Sequence, residues 1–348
     1  MHASVVIPTV DRPRTLRDCL AGVLAQLEAG DEVIVVAQGT GQQRFTTAEA
    51  VKSSAAERVL AGKSVEPEGT PLIRVVDQPD PNLPAARNRG LREASAPVVV
   101  FLDDDAVPLP GWIAELLRPF DEQGADLVAG RLIEEPDLTT NSRRRPGAWL
   151  TVTGHTRRNY NCPVAGPSGL APGGNMAVRR EAALAAGGFD EELGTGTAVY
   201  EDTEFAERLR TGGATVWYAG TAAVEHRAVR RGGCWEVAEG EREIDRARNM
   251  SLIFSRHRPL GWPIMALAYI GAAKWKWLRG RLRWRDLTAI ARALMTGRRA
   301  GRRQPVPLTA EAGDPGESSG NAGPTGGDRT AGGEGAGSSE ERRRHGQE

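Results

Sequence analysis

Three consecutive carboxylates, Asp103, Asp104 and Asp105, follow the apolar run Val98–Leu102. Aspartates clustered at the end of a buried strand cost free energy through repulsion and desolvation unless a cation compensates them. Helix capping or solvent exposure would account for one or two of them, whereas metal binding accounts for all three. Hard oxygen ligands favour Mg²⁺ or Mn²⁺, which also bind substrate phosphates, so a nucleoside diphosphate is a natural co-ligand. If the chain stays extended, Asp103 and Asp105 share one face and Asp104 points to the other.

Short runs of β-branched residues alternate with segments of helical spacing over the first hundred residues. The runs that begin near residues 4, 31 and 71 read as buried parallel strands. Between the first two, Pro13 suits a first helical turn and Gly30 suits the residue beyond the last. The apolar residues at helical spacing there are Leu16, Leu20, Val23, Leu24 and Leu27. This alternation predicts an α/β fold with a doubly wound, mostly parallel sheet, in which ligands bind beyond the carboxyl ends of the strands, where the aspartates lie.

Residues 132–172 lack periodicity and are rich in Pro, Gly, Asn and Arg. This composition predicts a long loop region of the kind that shapes a binding site. The arginine run at 143–145 is expected to be a solvated face rather than a ligand clamp. Helical spacing returns in "REAALAAGGFDE" and in "YEDTEFAERLRTGG".

Composition and cysteine usage favour a cytoplasmic protein. The formal net charge is zero, with 45 basic and 45 acidic residues, but basic residues predominate between Arg227 and Arg303. The cysteines, at positions 19, 162 and 234, are few, odd in number and widely spaced, so neither a disulfide framework nor a zinc knuckle is indicated. The N-terminal residues contain no basic region followed by a long apolar stretch, which argues against a secretory signal. From Pro305 onward the apolar residues almost vanish, so residues 304–348 are expected to be a disordered tail.

The segment 256–303 combines apolar residues and tryptophans with a cluster of Lys and Arg. Lys274 interrupts its apolar part too early for a membrane-spanning helix. A helix that lies on an anionic bilayer surface fits this pattern, and so does a helix packed on the preceding domain with its basic residues solvated. Nucleic-acid binding would also suit a basic aromatic segment, but nothing else in the chain supports it, and no nucleic-acid partner is expected.

Six motifs resemble, in identity and order, those of family 2 glycosyltransferases with the GT-A fold, over residues 3 to 255. They are "VVIPTVDRPRTLRDCL", "AARNRGL", "FLDDDAVP", "GGNMAVRREAALAAGGFDE", "YEDTEFAERL" and "VEHR". The resemblance implies transfer of a sugar from a nucleotide-sugar donor to an acceptor hydroxyl with inversion at the anomeric carbon. It also implies a GT-A domain over 1–255, followed by a basic helical extension over 256–303.

The resemblance assigns roles to the carboxylates. Asp103 and Asp105 correspond to the DxD pair, the first facing the nucleoside and the second the metal, with Asp104 in the variable middle position. His226 matches the histidine that completes the metal site, although a lone histidine is more often structural. Asp202, in the pair formed with Glu201, matches the general base, since the attacking hydroxyl must lose a proton to a carboxylate opposite the leaving group. From the pattern alone, the acidic first turn of an amphipathic helix is the better interpretation of this pair, and the resemblance reverses that preference.

Further residues correspond to positions that contact the donor. They are Pro8, Thr9, Asp11, Arg12, Arg87, Asn88, Gly173, Gly174 and Asn175. The two glycines permit a close approach of the backbone to a ligand, and they also suit a plain turn. Gln38 stands where many relatives have an acid that reads the base. Because an amide both donates and accepts, UDP, GDP and dTDP donors all stay open.

The sequence therefore predicts a glycosyltransferase that depends on Mg²⁺ or Mn²⁺ and works at the inner face of the membrane. Its acceptor is expected to be a hydroxyl of a lipid-linked or cell-envelope glycan. The alternative is a catalytically silent binding or scaffold protein that keeps the fold. A nucleotidyltransferase would need a glycine-rich basic loop near the N-terminus, and "VVIPTVDRP" has none.

Overall fold

A computed structural model describes residues 1–60, 72–134, 145–194, 199–227, 239–303 and 308. Cys234 and, apart from Leu308, the predicted tail lie outside these residues. Leu308 donates its backbone N–H to the carbonyl of Leu184, so this position of the predicted tail contacts the domain.

Strands and helices alternate through the first half of the chain. The strands are β1 (Ala3–Thr9), β2 (Glu32–Gln38), β3 (Leu72–Gln78), β4 (Val98–Leu102), β5 (Ala106–Pro108), β6 (Leu127–Glu134), β7 (Gly147–Leu150), β8 (Thr156–Asn159), β9 (Gly166–Pro167), β10 (Asn175–Arg179) and β11 (Val216–His226). The helices are α1 (Pro13–Leu24), α2 (Gly41–Leu60), α3 (Leu83–Glu93), α4 (Trp112–Glu122), α5 (Arg180–Ala185), α6 (Glu201–Thr211), α7 (Glu239–His257), α8 (Trp262–Leu278) and α9 (Trp284–Ala300).

The central sheet has the order β3-β2-β1-β4-β10-β6-β11-β5. Strands β3, β2, β1, β4, β6 and β11 share one direction, whereas β10, β5 and β9 run the opposite way. Successive residues of a strand face opposite sides, so the buried strands feed two separate apolar clusters. One cluster packs beneath α1 and α4, and the other beneath α3, α6 and the C-terminal helices. The sheet is therefore sandwiched between two layers of helices.

Helix α1 forms where the apolar spacing predicted a helix. Its buried face consists of Leu16, Cys19, Leu20, Val23 and Leu24, and Pro13 occupies its first turn. Gly30 is not the residue beyond its end, as expected, because the helix stops at Leu24. Gly30 instead has φ +94° in the turn before β2, a left-handed conformation that glycine adopts readily.

Residues 135–144 of the region predicted to be a long loop, with Arg143 and Arg144, lie outside the described residues, and the described part contains a hairpin. Strands β7 and β8 pair antiparallel, with Gly147 opposite Asn159 and Leu150 opposite Thr156. The prediction missed it because these strands are only four residues long and β8 carries two arginines, so neither shows a clear alternation.

Helices α7, α8 and α9 form a closely packed group at the C-terminal side. A Cβ at Gly297 of α9 would lie 1.9 Å from the carbonyl oxygen of Arg248 in α7, so only glycine allows this crossing. Ser251 of α7 donates to the carbonyl of Leu294 at 2.5 Å. The predicted boundary at 255/256 lies two residues before the end of α7. Within the described ranges, no helix is both long enough and apolar enough to cross a bilayer.

Candidate functional site

The three aspartates lie in a tight turn directly after β4. The backbone N–H of Ala106 donates to the carbonyl of Asp103 at 3.1 Å, so the chain bends here instead of staying extended. The side chains of Asp103 and Asp105 nevertheless lie close together. The turn, rather than the pleat of a strand, separates them from Asp104. The prediction assumed an extended chain at these three residues, and that assumption is wrong. The predicted pairing of Asp103 with Asp105 is found.

Asp103, Asp105 and His226 form a cluster whose ligand atoms all lie within 4.8 Å of one another. His226 Nε2 is 3.3 Å from Asp105 Oδ1 and 3.9 Å from Asp103 Oδ2. Strand register explains the meeting, since β11 pairs with β5 so that His226 lies opposite Ala106. The two carboxylates suit Mn²⁺ or Mg²⁺, and the imidazole can supply a third ligand.

Glu134 supports the histidine from behind. Its Oε1 lies 3.0 Å from His226 Nδ1, because β6 and β11 place these two residues side by side. Burial alone would lower the pKa of His226, but its hydrogen bonds to Asp105 and Glu134 raise it to about 10. A carboxylate on the second ring nitrogen is the usual way in which a metal-binding histidine is oriented. The residues therefore fit a divalent cation, and Glu134 is a member of the site that the sequence motifs did not reveal.

Asp104 turns away from this cluster toward the end of β1. It accepts a hydrogen bond from the Thr9 hydroxyl at 2.6 Å and from Arg12 Nη1 at 3.1 Å, and Arg12 also lies 3.4 Å from Asp105. Burial raises the pKa of Asp104 to about 7, although Arg12 and Thr9 act in the opposite direction. Thus Thr9 and Arg12 hold the carboxylate turn. Pro8 lies within β1, and Asp11, with φ +50°, is exposed in the loop before α1.

Arg87 links the carboxylate turn to the Glu201–Asp202 pair. Its guanidinium is buried and donates to Glu201 Oε1 at 2.9 Å and to Asp103 Oδ1 at 3.3 Å. Burial raises the pKa of Glu201 to about 7, the neighbouring Asp202 adds to the rise, and Arg87 opposes it. Arg87 therefore joins two motifs separated by about a hundred residues, a role that no local pattern could reveal.

Gly173 and Gly174 pass between these groups at very close range. A Cβ at Gly173 would lie 2.5 Å from Arg87 Nη2, and one at Gly174 would lie 2.5 Å from Asp103 Oδ2. Bare backbone is needed here for the close approach to Arg87 and Asp103, whereas the predicted approach of these glycines to a ligand stays a prediction.

Asp202 is fixed in place at the start of α6. Its Oδ2 accepts the Gly173 N–H at 3.1 Å, and its Oδ1 accepts the Thr203 N–H at 2.6 Å. Tyr200, just before the helix, has φ +73°, a strained conformation of the kind found at functional sites. The described contacts thus run from the Asp103 cluster through the glycine pair to Asp202.

Three predicted donor-binding residues are engaged within the fold. Gln38 accepts the Asn82 N–H at 2.9 Å, and Asn88 exchanges hydrogen bonds with the backbone of Phe189. Asn175 is fully buried; it accepts from Trp112 Nε1 and donates to the carbonyls of Arg131 and Ala222. Their contacts position neighbouring elements, and their contact with a donor stays a prediction.

Two further carboxylates anchor α6 from the opposite side. Glu204 and Glu207 are buried, and they bind Arg256, His257 and Arg258 at the end of α7. Burial would raise the pKa of Glu204, but His257, Arg208 and Arg256 hold it well below its usual range. The sequence suggested only an amphipathic helix here, because the partners lie about fifty residues further along the chain.

Comparison with known proteins supplies an independent finding. The family model described as "Glycosyl transferase family 2" matches residues 4–185, which is half of the chain. A pre-mycofactocin glycosyltransferase of Mycobacterium tuberculosis is 31% identical over 155 residues, which are 44% of this chain and 32% of that protein. Glycosyltransferase AglE of Haloferax volcanii is 27% identical over 129 residues, 37% of this chain and 38% of that protein. The matched region therefore spans about a third of the length of these curated relatives.

Solved structures share the fold at low sequence identity. S. aureus TarS 1-349 has a TM-score of 0.56 at 14% identity, covering 86% of this chain and 81% of that chain. GalNAc-T7 has a TM-score of 0.50 at 16% identity, covering 75% of this chain and 51% of that chain. The predicted GT-A architecture, with its mostly parallel sheet and a helical C-terminal region, is thus confirmed, and the chain belongs to glycosyl transferase family 2.

Proposed function

We propose that the protein is a metal-dependent inverting glycosyltransferase that moves a sugar from a nucleotide-sugar donor to an acceptor hydroxyl. One observation carries the proposal: a candidate cation cluster, a bare glycine pair and a fixed carboxylate follow one another in direct contact. Asp103 lies against Gly174, and Asp202 accepts the N–H of Gly173. A transferase of this kind needs a cation for the diphosphate and a base close to it, and the glycine pair connects the two.

The cation would be held by Asp103, Asp105 and His226, with Glu134 orienting the histidine. A divalent cation bound there would neutralise the charge that grows on the departing diphosphate. Two relatives of the fold support a nucleotide-sugar donor: GalNAc-T7 was solved with UDP, GalNAc and Mn²⁺, and TarS with UDP-GlcNAc. The two carboxylate donors suit both Mn²⁺ and Mg²⁺.

Asp202 serves as the general base in this proposal. The acceptor oxygen forms a bond to the anomeric carbon while its proton passes to the Asp202 carboxylate. The bond between that carbon and the diphosphate oxygen breaks, and its electron pair leaves on the nucleoside diphosphate. Attack on the face opposite the leaving group inverts the configuration. The hydrogen bonds from Gly173 and Thr203 support this role because they hold the carboxylate in one orientation.

We further propose that α8 lies on the inner, cytoplasmic surface of an anionic membrane, where a lipid-linked or cell-envelope glycan would be the acceptor. Large apolar side chains are exposed on and beside this helix: Leu260 (95%), Ile264 (53%), Leu267 (71%), Trp275 (57%) and Leu278 (63%). Basic residues crowd its C-terminal end and the turn that follows it, at positions 274, 276, 279, 281 and 283. An exposed apolar stripe beside a basic cluster suits the headgroup region of anionic lipids.

Calorimetric titration with UDP, GDP and dTDP tests the core of the proposal. Each nucleotide is added with Mn²⁺, with Mg²⁺ or with EDTA to the wild type, to Asp105→Ala and to the control Asp121→Ala, whose side chain is exposed on α4. We expect one nucleotide to bind only with a metal, and this binding to be lost in Asp105→Ala alone. The preferred nucleotide would identify the base read near Gln38.

The same titration bears on the alternative function. If the wild type binds none of the three nucleotides under any condition, the catalytically silent scaffold becomes the better interpretation. If binding survives in EDTA, the protein binds nucleotides without the metal, and the metal dependence is wrong.

A further inference from the structure

The β7–β8 hairpin encloses a cavity of about 620 Å³ that none of the sequence motifs covers. We call it the arginine cavity, and its lining residues are Arg145, Trp149, Thr156, Arg157, Arg158 and Asn159. The volume lies within the range of small-molecule sites. It therefore has room for part of a substrate.

The lining is strongly basic and contains no carboxylate among its described residues. Arg145 lies over the Trp149 ring, with its guanidinium carbon 3.3 Å from the ring centroid, so the ring orients this cation. In the described part of the chain, neither Arg157 nor Arg158 forms an ion pair with a carboxylate, and both are exposed. Like charges held together repel one another, so a cluster of three arginines favours an anionic ligand.

An electrostatic interaction links Arg158 of the cavity to Asp202. Neighbouring groups partly desolvate the exposed Arg158 guanidinium, which alone would lower its pKa, but Asp202, two tyrosines and Glu201 raise it. The hairpin also pairs with the chain just before the glycine turn, since the carbonyl of Ala148 accepts the N–H groups of Gly169 and Leu170.

We infer that the arginine cavity binds a phosphate group of the acceptor, next to the hydroxyl that gives its proton to Asp202. This inference rests on the proposed function. The planar guanidinium matches a phosphate through paired hydrogen bonds, and Thr156 offers a further hydroxyl. A neutral glycan would not need three arginines. The donor diphosphate is expected at the cation cluster, which leaves the acceptor as the source of this second anion.

The double variant Arg157→Gln/Arg158→Gln tests the inference. Both side chains are exposed, so the variant is expected to fold. Arg118→Gln is the matched control, because Arg118 lies on the outer face of α4 and pairs with Glu115. The probes are glycerol 3-phosphate, neutral glycerol and the preferred nucleotide with Mn²⁺, each titrated by calorimetry.

We expect the double variant to bind glycerol 3-phosphate at least tenfold more weakly than the wild type, while nucleotide binding stays unchanged. Glycerol should bind to neither protein. Unchanged affinity for glycerol 3-phosphate in the double variant would overturn the inference. An equal loss of nucleotide affinity would also overturn it, because the arginines would then serve the donor.

The two proposals can fail separately. Arginine-dependent binding of glycerol 3-phosphate in a protein that binds no nucleotide would support the anion site and contradict the proposed function. Two larger probes then identify the source of the phosphate: a short-chain prenyl phosphate in detergent represents a lipid carrier, and a soluble glycerol-phosphate oligomer represents a polymer. Of the two probes, the one that loses more affinity in the double variant, relative to the wild type, identifies the class of acceptor.

Discussion

At the scale of single residues, the site depends on groups that hold one another in place. Asp202 accepts a hydrogen bond from the Gly173 N–H, and Gly173 lies against Arg87. Arg87 in turn donates hydrogen bonds to both Asp103 and Glu201. A substitution at any one of these residues should therefore shift the positions of the others. Two substitutions separate the chemical role of these residues from their structural role.

The substitution Asp202→Asn should abolish transfer and leave donor binding nearly intact. An amide keeps the size of the side chain but cannot accept the proton of the acceptor hydroxyl, so we expect the transfer rate to fall by about a hundredfold or more. The measurement combines the rate of sugar transfer with calorimetric donor affinity. A loss of donor affinity equal to the loss of rate would contradict the role of base.

The substitution Gly173→Ala should lower both activity and stability. Its Cβ would meet Arg87 at 2.5 Å, and Arg87 cannot withdraw without losing its bonds to Glu201 and Asp103. Overpacking of this kind costs about 1 to 3 kcal/mol of the free energy of unfolding, measurable by urea titration. Gly41→Ala is the control, because nothing lies within 4 Å of a Cβ there. Equal stability of the two variants would show that the neighbours of Gly173 move aside.

At the scale of elements, ionic contacts join parts that are far apart in sequence. Glu32, at the start of β2, accepts hydrogen bonds from Ser4 of β1, from Ser95 and from Arg74 of β3. Although burial opposes the shift, these bonds lower the pKa of Glu32 to about 2. They therefore tie β1, β2 and β3 to the segment that leads into β4, the strand before the carboxylate turn.

Stability should depend on pH through Glu32. Its folded pKa of about 2 lies below the ordinary value of roughly 4.3, so its contribution is full above the ordinary value and is lost as pH falls toward 2. Glu32→Gln should therefore lower the free energy of unfolding by about 2 kcal/mol at pH 7, and by much less near pH 2. Urea unfolding across this range, beside the exposed control Glu28→Gln, checks the effect. A difference that does not depend on pH would contradict the ionic origin.

Helix α6 should lose its anchorage when Glu204 is neutralised. Its carboxylate has no exposed surface and lies 2.6 Å from Arg256 and 2.8 Å from Arg208. Glu204→Gln should lower the free energy of unfolding by about 3 kcal/mol, because cations are left buried without their partner. The exposed Glu181→Gln is the control. In a double-mutant cycle with Arg256→Met, additive effects would rule out coupling between the two residues.

At the scale of the whole molecule, the apolar stripe of α8 decides where the enzyme is expected to work. We expect sedimentation with vesicles that contain anionic lipid, less sedimentation at high salt, and little with purely zwitterionic vesicles. Leu267→Asp combined with Leu278→Asp should weaken binding at least tenfold, since about 1.5 kcal/mol is lost for each leucine. Leu72→Asp, which changes an exposed leucine of β3, is the control. Equal binding by all these proteins would contradict the membrane proposal.

The local residue patterns of the sequence determined the secondary-structure elements, and its motifs identified the family. Helix α1 follows from the spacing of its apolar residues, and β1, β2 and β4 follow from their β-branched runs. The order of the motifs was sufficient to recognise the family, and the family model confirmed it. These features depend on neighbouring residues, whose periodicity and steric preferences can be read along the chain.

Only the tertiary structure decided which of these residues meet. The register of β11 with β5 and β6 brings His226 to Asp105 and Glu134. A buried hydrogen bond joins Arg87 to Glu201, which lies 114 positions further along the chain. Three further features also depend on the tertiary structure. They are the hairpin that carries the arginine cavity, the close approach of Gly173 to Arg87, and the anchorage of α6 by α7. Such contacts arise from the packing of elements distant in sequence, and local patterns carry no record of that packing.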